Sequence, residues 1–132
     1  MNLRLWAHPR ELAPLRSTLR EWVMQNGGSR VEADEVSLAV SEAATNTIEH
    51  AYHHEEREIV VTGSQDDGVL ELRVRDFGDW REPRQRAGRG LDLARALMDS
   101  VDVDSTPEGT EVRIRRRLGA GFERRSGSAA GI

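Results

Sequence analysis

The sequence predicts an α/β fold, a two-layer sandwich in which a mixed β-sheet carries three main helices on one face. Stretches with the two-residue period of strands and stretches with the 3.6-residue period of helices alternate in the order β-α-α-β-β-loop-α-β-β. Two strand pairs are separated by little more than turn residues and therefore pair as hairpins. The strands outnumber what three helices can separate, so the sheet reads as mixed, with the helices stacked on it. At 132 residues the chain can bury one core, which gives a single domain over 1–118 and a flexible tail or linker over 119–132.

Each element has its own signal. "LRLW" at Leu3–Trp6 alternates and reads as a short strand. "HPRELAPLRSTLREWVMQNGG" reads as a helix with Leu12, Leu15, Leu19, Trp22 and Val23 as its apolar stripe. Pro9 suits a first turn, whereas Pro14 is accommodated only if the helix starts late, near Ala13. Gly27 and Gly28 end it. A second helix is expected from about Asp34 to Tyr52. "EIVVTG" and "VLELRVRD" form a hairpin around Asp67-Gly68. "FGDWREPRQRAGRG" lacks periodicity and is rich in Gly, Pro and Arg, so it reads as a loop. "LDLARALMDSV" is a third helix, and "VDVDS" and "TEVRIRRRL" are strands joined by a turn at Pro107–Gly109. The segment from about Gly119, "GAGFERRSGSAAGI", has linker composition.

Composition removes several classes of chemistry. Arg supplies all 19 basic residues against 23 acidic ones, a net charge of −4 that argues against a general nucleic-acid binder. The absence of Cys excludes disulfides, thiolate nucleophiles and Cys-ligated zinc. The absence of Lys excludes a Walker A loop, a eukaryotic-type kinase site and Schiff-base chemistry. No apolar run reaches the length of a membrane span, and the expected location is the cytoplasm.

The second helix carries a row that its apolar face does not require. In "SEAATNTIEHAY", Glu42, Asn46 and His50 recur at four-residue steps. Val36, Val40, Ala43, Thr47 and Ala51 fall within roughly 80° of one another and face the core. Glu42 and Asn46, roughly 40° apart, flank that stripe. They read either as a solvated flank or as a carboxylate placed for base work beside an amide oxygen able to hold hard Mg²⁺. His50 and His54, followed by Glu55 and Glu56, read as exposed or capping residues at a helix end rather than as metal ligands.

Two glycine clusters add to this. "RVRDFGDW" sets Asp76 just after a strand with Gly78 two residues on. It reads either as an ordinary turn or as an acceptor for an exocyclic amine beside a glycine that admits a flat ligand. "AGRGLDLARALM" sets Gly88 and Gly90 directly before a helix, among Arg81, Arg84, Arg86 and Arg89. Such a segment is either a flexible loop with a cap or a phosphate cradle.

The ordered set "EAATN", "DFG", "GRGL" and "EGTEVRI" resembles the GHKL (Bergerat-fold) ATP-binding superfamily, and within it the anti-sigma-factor serine kinases. The resemblance spans about residues 1–118. It implies ATP and Mg²⁺ as cofactors, with Asn46 on the metal and Glu42 as general base. It further implies that Asp76 accepts from the adenine amine, that Gly78 makes room for the ring, and that Gly88, Arg89, Gly90 and Leu91 close over the phosphates. Thr110 would support the adenine end through its hydroxyl. The implied partners are an anti-sigma-factor antagonist with a Ser or Thr phosphoacceptor, and a sigma factor; a homodimer and fusion to other regulatory domains stay open. The sequence departs from the pattern where Asp79 and Trp80 follow Gly78, and in the short segment from Asp79 to Ala87. Those departures keep open a second reading, a nucleotide-binding or degenerate interaction module that regulates by contact. The catalytic domain of a sensor histidine kinase is a weaker third.

Overall fold

The computed structural model describes residues 1–50, 57–77 and 91–119. In chain order these form β1 (Asn2–Trp6), a 3₁₀ turn (Pro9–Glu11), α1 (Leu12–Gln25), α2 (Arg30–His50), β2 (Glu58–Asp66), β3 (Val69–Asp76), α3 (Asp92–Leu97), β4 (Ser100–Thr106) and β5 (Gly109–Arg117). The strands make one sheet in the order β1-β2-β3-β5-β4.

The α/β two-layer expectation holds, but the sheet is antiparallel at every described pairing rather than mixed. The reason lies in where β5 inserts. β3 and β4 run in the same direction and are joined through α3, the arrangement that makes a parallel neighbour in a βαβ unit. β5 folds back from β4 and takes the place between them, so the two parallel strands never touch.

Strand alternation decides which face is covered. Leu5, Ile59, Val61, Leu70, Leu72, Val74, Val112 and Ile114 point to one face and are buried. The opposite face carries Arg4, Glu58, Glu71, Arg73, Glu111 and Arg115, linked by ion pairs such as Arg73–Glu71 at 2.7 Å and Arg73–Glu111 at 3.7 Å. With one apolar face, the sheet has one side on which helices gain by packing.

The helices follow from local signals. The 3₁₀ turn absorbs Pro9, and α1 starts at Leu12, so Pro14 falls in its first turn as the sequence required. Leu15, Leu19 and Val23 are buried against the core. α1 ends in a Schellman arrangement: Gly28 N donates to Val23 O at 2.9 Å and Gly27 N to Met24 O at 3.1 Å.

α2 begins at Arg30, earlier than the expected Asp34. Ser29 and Glu32 form a capping box, with Glu32 N donating to Ser29 Oγ at 3.0 Å and Ser29 N to Glu32 Oε1 at 2.9 Å. The β2–β3 hairpin turns on Asp67 (φ 54°) and Gly68 (φ 79°), the positive-φ pair of a type I′ turn. The tail expected over 119–132 lies, beyond Gly119, outside the described residues.

Candidate nucleotide site

α2 is anchored at its N-terminal end by β5. Glu32 Oε2 accepts from Gly119 N at 2.6 Å, and Arg116 Nη1 donates to Glu35 Oε1 at 2.8 Å. The same Arg116 nitrogen donates to Leu97 O at 2.9 Å and so fixes the end of α3. Burial alone would raise the Glu32 carboxyl. The N–H groups of Gly119 and Ser29, the Ser29 hydroxyl and the Arg116 charge outweigh it and hold the group below its ordinary value.

This anchor sets the level of everything further along α2. From Glu32 to Asn46 the helix rises about 21 Å. From Arg116 back to Thr110 the strand spans about 20 Å. α2 packs on β3 and β5, and its length from the anchor to Asn46 is comparable with that of β5 from Arg116 to Thr110.

Along α2, Val36, Val40, Ala43 and Thr47 are buried as expected, and Ala51 lies outside the described residues. Buried Ala33, Ala39 and Ala44 widen the covered face, because α1 and α3 pack on α2 as well as the sheet. Asn46 is buried (4% exposed), whereas Glu42, one turn earlier, is half-buried. A flank that was open to both readings is therefore not simply solvated: its amide is enclosed and its carboxylate keeps access.

At the end of β3, Asp76 occupies an inner-face position and is 1% exposed. Its register partner on β5 is Thr110, 2% exposed, whose own partner on β4 is Ser105. Ser105 Oγ and Thr110 Oγ1 are 3.3 Å apart. Ile59 continues the row on the other side of Asp76. The inner face thus changes at this row from aliphatic residues to a carboxylate and two hydroxyls.

Gly109 makes that row geometrically feasible. A Cβ there would stand 2.1 Å from Asp76 O, and the φ of +150° is one that side-chain-bearing residues rarely adopt. Thr106 Oγ1 closes the β4–β5 turn by donating to Gly109 O at 3.2 Å. Leu91 stands at the N-cap of α3 and is fully buried. Gly78, Gly88, Arg89 and Gly90 lie outside the described residues.

Residues 75, 76, 104, 106 and 108–111 line a recess of about 210 Å³ at this end of the sheet. Arg75, Asp104 and Glu111 in its lining belong to the row on the face opposite α2, and its acidic groups disfavour a polyphosphate there, so the recess carries no part of the nucleotide argument. The sequence reading missed Glu32, Ser105, Gly109 and Arg116 as parts of this construction. Only Glu32 had a local signature, the Ser-x-x-Glu spacing from Ser29.

The comparisons with known proteins bear on the fold and the family. Residues 5–116 match the family model described as the histidine kinase-like ATPase domain. The anti-sigma F factor of Bacillus subtilis (strain 168) is 31% identical, over 89% of this chain and 92% of that protein. The chain belongs to the histidine kinase-like ATPase family, on its anti-sigma-factor branch. The anti-sigma F factor of Halalkalibacterium halodurans is 34% identical over the same shares of the two chains. Among solved structures, that of the RsbU and RsbW domains of Rv1364c from Mycobacterium tuberculosis superposes with a TM-score of 0.72 at 25% identity. That match covers 89% of this chain and 32% of the solved one. A blue-light activated histidine kinase from Erythrobacter litoralis EL346, at 20% identity and a TM-score of 0.58, shares the fold alone. The ATPase fold expected from the four motifs is thus the fold of this family. No described helix is long and apolar enough to cross a membrane.

Proposed function

We propose that the protein is a cytoplasmic, Mg²⁺- and ATP-dependent protein-serine/threonine kinase that also acts as an anti-sigma factor. It phosphorylates a Ser or Thr of an antagonist protein and sequesters a sigma factor. The observation that carries this reading is the buried Asp76–Thr110 pair on the sheet, together with the buried Asn46 and half-buried Glu42 on the helix that packs on it. The names of the anti-sigma F factor relatives support the partner assignment.

The donor set fits the nucleotide and the metal. Asp76 is an enclosed acceptor for the adenine amine, with Thr110 beside it on the same row. Asn46 offers an oxygen suited to a hard cation that takes most of its ligands from phosphate and water. Bound Mg²⁺ supplies charge neutralisation at the phosphates. Leu91, with Gly88, Arg89 and Gly90 assigned from the sequence, contributes the phosphate side, where Arg replaces the Lys that this chain lacks.

In the reaction the acceptor hydroxyl oxygen forms a bond to the γ-phosphorus as the bond to the β–γ bridging oxygen breaks and ADP leaves. Glu42 takes the proton from that hydroxyl, and its half-buried position leaves it reachable by a partner side chain. Positioning and charge neutralisation supply most of the rate.

The deciding experiment is incubation with radiolabelled ATP, Mg²⁺ and candidate antagonist proteins from the same genome. Label is expected on one of them, at Ser or Thr. ATP binding with no label on any candidate would favour the contact-only module.

A further inference from the structure

We propose that Ser105 is a positioning residue for base recognition, its hydroxyl donating to Thr110 Oγ1 and so turning the Thr110 hydrogen toward a ring-nitrogen acceptor of the purine. The inference rests on the nucleotide reading above and deepens it, because it assigns the polarity with which the base edge is read.

The argument starts from the hydrogen count. A hydroxyl has one hydrogen to give and lone pairs that accept. Ser105 Oγ and Thr110 Oγ1 are 3.3 Å apart, and either can be the donor. Their surroundings differ. Thr110 is 2% exposed, whereas Ser105, on the edge strand β4, is half-buried and can exchange with water.

Ser105 is also the side-chain partner recorded for Thr110 among the described residues. If Ser105 donates, the Thr110 hydrogen is left for a ligand. If Thr110 donates, the base meets only acceptors, Thr110 beside Asp76. The ligand edge selects between the two.

Adenine presents a donor amine next to an acceptor ring nitrogen, N1. A carboxylate and a hydroxyl lie side by side on one sheet row, Asp76 opposite Thr110. The carboxylate can only accept, so it takes the amine. The hydroxyl then faces the ring nitrogen and must donate, directly or through one water. Guanine presents the reverse order, a carbonyl next to an N–H. Ser105 therefore supports, without touching the base, the donor orientation of Thr110 that adenine requires.

Calorimetry on the whole chain tests this with three ligands: ATP, 1-deaza-ATP, in which the ring nitrogen is a C–H, and purine riboside triphosphate, which lacks the amine. Ser105→Ala is expected to weaken ATP and purine riboside triphosphate about three- to ten-fold and to leave 1-deaza-ATP unchanged. Ser105→Thr, which restores the donor, is expected to recover wild-type affinity. Ser105→Cys keeps the volume but donates weakly, and is expected to show the same analogue-selective loss if the alanine variant folds poorly.

Equal weakening of all three ligands would make Ser105 a structural residue and overturn the proposal, as would no weakening of any. Failure of the wild type to bind ATP at all would instead overturn the nucleotide reading. An intact ATP-over-GTP preference that Asp76→Asn reduces, with Ser105→Ala silent, would overturn the Ser105 assignment alone.

Discussion

Asp76 at the end of β3 and Thr110 near the start of β5 stand directly opposite each other on the inner face of the sheet, both almost wholly buried. The two inner-face pairs that precede it along these strands are aliphatic, Leu72 with Ile114 and Val74 with Val112. A carboxylate enclosed at such a place is costly unless its surroundings use it. In the proposed site it receives the adenine amine. ATP is then expected to bind about ten-fold or more tightly than GTP, whose carbonyl faces the carboxylate. Asp76→Asn is expected to reduce that preference. Competition binding with the two nucleotides measures it, and equal wild-type affinities would rule out the assignment.

Asn46 is buried one turn beyond the half-buried Glu42. As the proposed Mg²⁺ ligand, it should matter only when the metal is present. Asn46→Ala is expected to weaken Mg·ATP by roughly ten-fold or more, the scale of changes around metal sites, while its circular dichroism stays wild-type. In the presence of a chelator, the two proteins should bind ATP alike. A loss that is the same with and without Mg²⁺ would argue against the ligand role.

Gly109 is where the β4–β5 turn touches the β3 backbone. Gly109→Ala forces a Cβ against Asp76 O at a positive φ, and is expected to destabilise the fold by about 2 kcal/mol or more. Denaturant unfolding reads the effect. Because the clash falls on the Asp76–Thr110 row, adenine affinity should decline with it. Gly119→Ala is the control, since among the described residues its added Cβ meets only Glu32 Oε2, at 3.4 Å.

Glu32 ties α2 to the end of β5, and its folded-state pKa lies below the ordinary value of 4.5. A depressed carboxylate contributes stability that is fully present above its unfolded-state pKa and is lost as the pH falls through the folded-state pKa. Glu32→Gln removes the charge and keeps the shape. Wild type is expected to exceed the variant by about 1–2 kcal/mol at neutral pH, the worth of charge-assisted hydrogen bonds and a cap. The gap should close as the pH drops below 4.5. Paired melts from neutral pH down to strongly acid conditions check this, and a gap independent of pH would show that the charge is not what stabilises.

Much of this was legible because local signals and the global fold agree. The Asp67-Gly68 turn fixed the β2–β3 register, and the stripe of Val36, Val40, Ala43 and Thr47 fixed the face of α2. What escaped depends on residues far apart in sequence. Strand counting could not show that β5 inserts between β3 and β4, which is what removes the parallel pair from the sheet. Arg116 reads as one of several strand arginines until Glu35 and Leu97 are brought to it from other elements. Ser105 looks like a turn residue until register sets it against Thr110. Asp76 and Asn46 were visible as motif residues, but their burial, which separates a site from a polar flank, comes only from packing.

Glu42 should matter to transfer more than to binding. A general base acts on the attacking hydroxyl, which ATP does not supply, and it typically contributes about 10²–10⁴-fold. Glu42→Gln keeps the size of the side chain and its hydrogen-bonding shape but cannot take the proton. Its half-buried position makes a folding defect an unconvincing cause of lost activity. The variant is expected to bind ATP within about three-fold of wild type and to lose at least about 100-fold in the rate of phosphorylating its partner. A contact-only module predicts no transfer even by the wild type. A solvated flank predicts that neither affinity nor rate changes. Measuring ATP affinity and phosphate incorporation together, in wild type and Glu42→Gln, separates the three. If the variant phosphorylates its partner at the wild-type rate, Glu42 is not the base, and the row it shares with Asn46 on α2 serves the metal and the fold alone.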